Sequence, residues 1–141
     1  MILGLGLNSH ARLSDNSDVP PRGYEMKDSP CGVNLKTNTP KTLTAGSVVT
    51  IRWTETVDHT GLYHIEFSKA SDKDWVRLKT IPDLQNNPVT IPHLYETTIT
   101  VPNINCQSCT IRVVQEMHDN HADMPTFYYS CGDIKIIKAK C

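Results

Sequence analysis

The feature that most constrains the fold is a series of short segments in which apolar residues alternate with polar ones. In "SVVTIRWT" Val49, Ile51 and Trp53 fall on one side of an extended chain, and in "GLYHIEFS" Tyr63, Ile65 and Phe67 do the same. "YETTITVP" repeats the pattern with Ile99 and Val101, "CTIRVVQEM" with Ile111, Val113 and Met117, and "CGDIKIIK" follows near the end. Successive side chains of a strand point to opposite faces, so this period, rich in β-branched residues, marks half-buried strands. Residues 12–46 instead carry Pro, Ser, Asn and Thr in "VPPRG", "DSPCG" and "NTPKTLTAG", which is loop punctuation. Residues 70–95 read as a long connection holding one short strand around residues 75–78. With no long amphipathic helix and no internal repeat, the pattern predicts an all-β, immunoglobulin- or fibronectin-like antiparallel β-sandwich.

The chain has 141 residues, enough for one domain with its own core. A formal net charge of −1, with no Lys/Arg cluster, argues against nucleic acid or an anionic membrane surface as partner. No stretch approaches the ~20 apolar residues of a membrane span. The opening "MILGLGL" is shorter than a complete signal-peptide core and lacks a preceding basic residue. It reads as the remnant of a signal peptide or a disordered leader, residues 1–9, ahead of a single domain, residues 10–141. Small residues at Ser9 and Ala11 allow cleavage before His10 or after Ala11. Five cysteines in so small a chain favour an oxidising compartment, so the expected location is extracellular or periplasmic.

"CQSC" can be half a zinc knuckle, a redox pair or a local disulfide. Zinc asks for a second Cys/His pair at matched spacing, and a redox pair normally opens a helix. The segment after Cys109 reads as a strand, so a Cys106–Cys109 disulfide stapling a turn is the better expectation. Cys31 and Cys131 are then available for a long-range bridge, and Cys141 is left over. Of six histidines, His64 alternates away from Tyr63 and Ile65 and is expected to face solvent or to act as a loose supporting group. His93 follows Pro92 in a loop, with no evident partner. "MHDNHAD" puts His118, Asp119, His121 and Asp123 in one strand-end loop, where a metal cluster and a solvated turn are equally good readings. His59 sits between two strands in "WTETVDHTGLYHIEF", a position where loops carry chemistry.

Taken together, "HARL", "SPCG", "WTETVDHTG", "TITVPNINCQSCTIRVVQ" and "TFYYSCGDI" resemble the lytic polysaccharide monooxygenase superfamily, in particular its small bacterial members and their fungal copper-binding relatives. The resemblance implies one copper ion in a histidine brace: the amine and ring nitrogen of His10, freed by processing, and the ring of His59. Tyr128, three positions before Cys131, would take the axial position. Gln115, His118 and His121 lie where some relatives place groups that hydrogen-bond the oxygen species. Three nitrogen donors in a plane suit Cu(II), and an open position would admit O2 or peroxide.

The function this implies is oxidative cleavage of glycosidic bonds in a polysaccharide (chitin, cellulose or another glycan) by a monomeric, secreted enzyme served by an external electron donor. Two rivals use the same sequence differently. One is a copper-binding or copper-handling protein with the same brace and no catalysis. The other is a metal-free carbohydrate-binding or adhesion sandwich.

Overall fold

The alternating segments all lie in strands, and the same parity decides what they bury. The computed structural model describes residues 11–22, 30–31, 39–56, 60–69, 72–83, 93–118 and 125–139. Among these residues the strands are β1 (Ala11–Leu13), β2 (Lys41–Thr44), β3 (Val48–Glu55), β4 (Gly61–Ser68), β5 (Val76–Asp83), β6 (His93–Thr100), β7 (Cys106–Met117) and β8 (Thr126–Ile137). They form a three-stranded sheet in the order β1-β3-β6 and a five-stranded sheet in the order β2-β8-β7-β4-β5. Val49, Ile51 and Trp53 of β3 meet Tyr63, Ile65 and Phe67 of β4, Ile111 and Val113 of β7, and Ile134 and Ile136 of β8 in one buried cluster. Burying each large side chain stabilises by about 1.5–3 kcal/mol, so this shared interior holds the sheets face to face. No helix among the described residues is long and apolar enough to cross a membrane.

Three details depart from the sequence reading. The sandwich is antiparallel except at one edge, where β2 runs parallel to β8. β5 is eight residues long, not a short strand within a connection. Its pairing with β4 shifts register between Ile65 and Glu66, so Ile81 falls out of phase with Val76 and Leu78 and the period-two signal breaks. His93 is the first residue of β6 and not a loop residue.

The outer face of the large sheet is polar yet largely closed. His64 is 2% exposed, correcting its expected solvent-facing position. Its strand is internal, and its ring lies 2.9 Å from Thr80 Oγ1 and 2.8 Å from Glu116 Oε1. Beside it, Arg112 donates twice to Glu66 Oε1, at 3.0 and 2.8 Å, and once to the Pro30 carbonyl at 2.9 Å. Its guanidinium also lies over the rings of Trp75 and Tyr129. Arg22 reaches Asp133 at 2.7 Å and Asp72 at 3.0 Å while its own backbone N–H donates to the Cys131 carbonyl. Buried charges need partners of this kind, and here they strap residues 22 and 30–31 across the sheet. The Cys31–Cys131 disulfide spans 100 positions and the Cys106–Cys109 disulfide spans 3.

Two measurements check this packing. A Cβ on Gly132 would meet the Pro20 carbonyl and Val19 Cγ1, so Gly132→Ala is expected to destabilise by about 1–3 kcal/mol in urea unfolding. Replacing Cys31 and Cys131 by Ser reopens the longer loop and is expected to destabilise by about 4–5 kcal/mol, read in the same way.

Candidate functional site

The strand registers collect many chain ends at one end of the sandwich. Ala11 is opposite Glu55, which is opposite His93. Gly61 is opposite both Asp83 and Met117, and Met117 is opposite Thr126. The start of β1 therefore lies at the same end as the β3–β4, β5–β6 and β7–β8 connections. The His118 backbone N–H donates to the Thr60 carbonyl at 3.0 Å. Gly61 is required beside it, because a Cβ would run into the Glu116 carbonyl.

Immediately inside this end lies a buried polar cluster centred on Glu55, which is 0% exposed. Its Oε2 accepts from the Tyr63 hydroxyl at 2.7 Å and from Gln115 Nε2 at 3.2 Å. Its Oε1 is 2.9 Å from His93 Nδ1. Asp83 completes the group: it is hydrogen-bonded to Glu55 and accepts the Tyr95 hydroxyl at 2.8 Å. Burial and the Asp83 carboxyl push the Glu55 pKa up to about 7, against the opposite pull of His93 and Tyr63. Burial and the nearby Glu55 carboxylate raise the Tyr63 hydroxyl in turn, keeping it a donor. His93 turns Nδ1 toward this carboxyl, and among the described residues its buried Nε2 has no hydrogen-bond partner.

Of the residues singled out in the sequence, His10, His59 and His121 lie outside the described residues. So do Asp119, Asp123 and Cys141. The flanks of the first two are described: Ala11 begins β1, while Thr56 and Thr60 bracket residues 57–59, and all three belong to this end. Tyr128 is opposite Gln115 and shares its sheet face with Ser130 and Ile134. Gln115 is 1% exposed and accepts the Ala11 N–H at 3.0 Å, so it touches the chain next to the proposed brace from within the core. His118 is on the other face, with Nε2 at 2.7 Å from Glu116 Oε2. Partial burial raises the Glu116 carboxyl, but the imidazoles of His64 and His118 more than offset this and hold it below its ordinary range.

Glu55, Asp83 and His93 were missed from the sequence. A signal existed for the first: Glu55 continues the inward parity of Val49, Ile51 and Trp53. Among the described residues, no group of three or more His, Cys, Asp or Glu is placed to hold a metal ion. Among the described residues His93 has the form of a ligating imidazole, with Nδ1 on a carboxyl oxygen and no described partner at Nε2.

No protein-family model matches the sequence, and no curated protein matches it. Solved structures do. The cellulose-active lytic polysaccharide monooxygenase CelS2, in complex with copper, superposes with a TM-score of 0.54 at 17% identity over 72% of this chain and 55% of its own. An AA10 lytic polysaccharide monooxygenase from Streptomyces lividans gives 0.54 at 20% identity over 78% and 64%. An AA15 lytic polysaccharide monooxygenase from Thermobia domestica, in the Cu(I) state, gives 0.62 at 13% identity over 90% and 98%. The protein therefore has the fold of lytic polysaccharide monooxygenases, and it spans little more than half to two thirds of the first two chains.

The raised Glu55 carboxyl makes stability depend on pH in a stated direction. Below its unfolded pKa near 4.5 both states are protonated, and as pH rises toward 7 the unfolded state ionises first. Unfolding free energy is therefore expected to fall between about pH 4.5 and 7 and then to level off. In Glu55→Gln that slope should be lost, as read by urea unfolding at pH 5 and pH 8.

Proposed function

We propose that the protein is an exported, monomeric, copper-dependent oxidoreductase that cleaves glycosidic bonds of a polysaccharide. His10 supplies its α-amine and ring nitrogen to one copper ion, His59 supplies its ring, and Tyr128 stands beside them. The observation that carries this reading is the strand register, which puts the flanks of His10 and His59 and the Gln115–Tyr128 pair at one end of a sandwich shared with copper-loaded monooxygenases. The donor set fits the metal: an amine and two imidazoles are nitrogen ligands of the kind that suit Cu(II).

When bound, copper supplies one-electron activation of O2 or peroxide, driven by an external donor. The chain's own residues prepare the place. Gln115 holds the start of β1 against the large sheet. Tyr128, half-buried beside Gln115, limits water on its side. A free amine at His10 requires processing directly in front of it, as removal of an export signal would supply.

A second reading, copper binding without catalysis, is favoured by one observation. The chain spans 55% and 64% of two of the solved monooxygenases.

Protein beginning at His10 is expected to take one Cu(II) with a nitrogen-rich type-2 EPR spectrum, lost in His59→Ala. No such spectrum rejects the copper site and leaves a metal-free sandwich. Copper binding together with reductant-dependent release of oxidised oligosaccharides from cellulose or chitin supports the enzyme. Copper binding without oxidised products across a broad glycan panel supports copper handling.

A further inference from the structure

We propose, on the basis of the copper reading, that Gln115 is a positioning residue: its side-chain carbonyl fixes the Ala11 amide and so sets the direction in which the chain leaves β1 at residue 10. β1 has three residues and pairs with β3 along one edge. In an antiparallel ladder alternate N–H groups turn away from the partner strand. Those of Ala11 and Leu13 do so, and side chains of the opposite sheet meet them: Gln115 Oε1 at 3.0 Å and Ser130 Oγ at 2.9 Å. Both side chains are buried, at 1% and 0% exposure, so water does not substitute for them.

The direction of the Gln115 amide is itself determined. Its Nε2 donates to Glu55 Oε2 at 3.2 Å and lies 3.5 Å from the Tyr63 hydroxyl. Turned over, the amide would set its carbonyl against a carboxylate and its N–H groups against the Ala11 N–H. Glu55 is held in place by Tyr63 of β4, Asp83 of β5 and His93 of β6, while Tyr128 of β8 flanks Gln115. A strand this short has few hydrogen bonds of its own, and a ligand displaced by 1 Å no longer meets its metal geometry. Gln115 thus acts through Ala11 and does not itself touch the metal.

The test uses the whole chain beginning at His10 and two readouts, amide hydrogen exchange without metal and Cu(II) titration with EPR. In Gln115→Met, which keeps length and volume, Ala11 exchange should rise and Cu(II) affinity should fall, each by about tenfold, the scale of one lost buried hydrogen bond. The copper hyperfine pattern should change with them. Ser130→Ala removes a bond to Leu13, inside β1 and two residues away from the end of the strand at which the ligand leaves, so it tests general loosening of β1 and not the direction of its start. It should speed exchange at Leu13 while leaving Ala11 protected and the copper spectrum as in the wild type. Should Gln115→Met not fold, Glu55→Met reads the same point, since it removes the oxygen that orients the Gln115 amide and should speed Ala11 exchange.

Wild-type copper affinity and spectrum in Gln115→Met overturn the inference alone. An equal copper effect in Ser130→Ala also overturns it, because general loosening then explains both. If the wild type takes no copper, the copper reading fails and this inference fails with it.

Discussion

A carboxyl group with no solvent contact, at the inward end of β3, sets the terms for the whole end of the sandwich where the candidate site lies. Taking one ionised carboxylate out of water costs several kcal/mol unless partners replace the lost hydration. Glu55 obtains them from Tyr63 on β4, His93 on β6 and Gln115 on β7, while the Asp83 carboxyl on β5 favours its protonated form. Five strands in two sheets, β3 to β7, thereby share one hub. Apolar residues of similar volume would hold the sheets together about as well, as they do along Ile51, Ile65, Ile111 and Ile134. What the polar hub adds is orientation: each hydrogen bond to Glu55 is directional and fixes the rotamer of the neighbour that makes it.

The period-two pattern that exposed the strands also contained half of this hub. Glu55 continues the parity of Trp53, Tyr63 that of Ile65, and Gln115 that of Val113, so their common inward face was legible. Their partnership was not. His93 lies 38 positions from Glu55 and Gln115 lies 60, and nothing local marks contacts at such separations. The same limit explains His64. Alternation placed it correctly on the outer face, but whether that face is wet depends on Thr80, Glu116 and the strap through residues 30–31. The β4–β5 register shift hid β5 for a related reason, since a bulge breaks the period that reveals a strand.

At the candidate site the sequence contributed residue types and the fold contributed company. Resemblance grouped Gln115 and His118 as neighbours of an oxygen species. The structure separates them, Gln115 facing the core and His118 pairing with Glu116 on the far side of the sheet. Gln115 keeps a link to the proposed metal through the backbone of Ala11, a role that a one-dimensional motif does not reveal. The solved structures, at 13–20% identity, speak for the fold, while the nitrogen ligands are an argument from this chain's own His10 and His59.

One short stretch of β8 ties the interior of this end of the sandwich to its outer strap. Tyr128 pairs with Gln115 at the open end, and Ser130 grips the Leu13 amide two residues on. Cys131 then carries the disulfide to Cys31, and its carbonyl accepts from the Arg22 backbone. Because alternate residues of a strand face opposite ways, Tyr128 and Ser130 serve the interior while Cys131 serves the outer strap. The covalent link and the Arg22–Asp133 pair therefore brace β8 from behind, at the level where its front face supports β1. One strand is thus held from both of its faces.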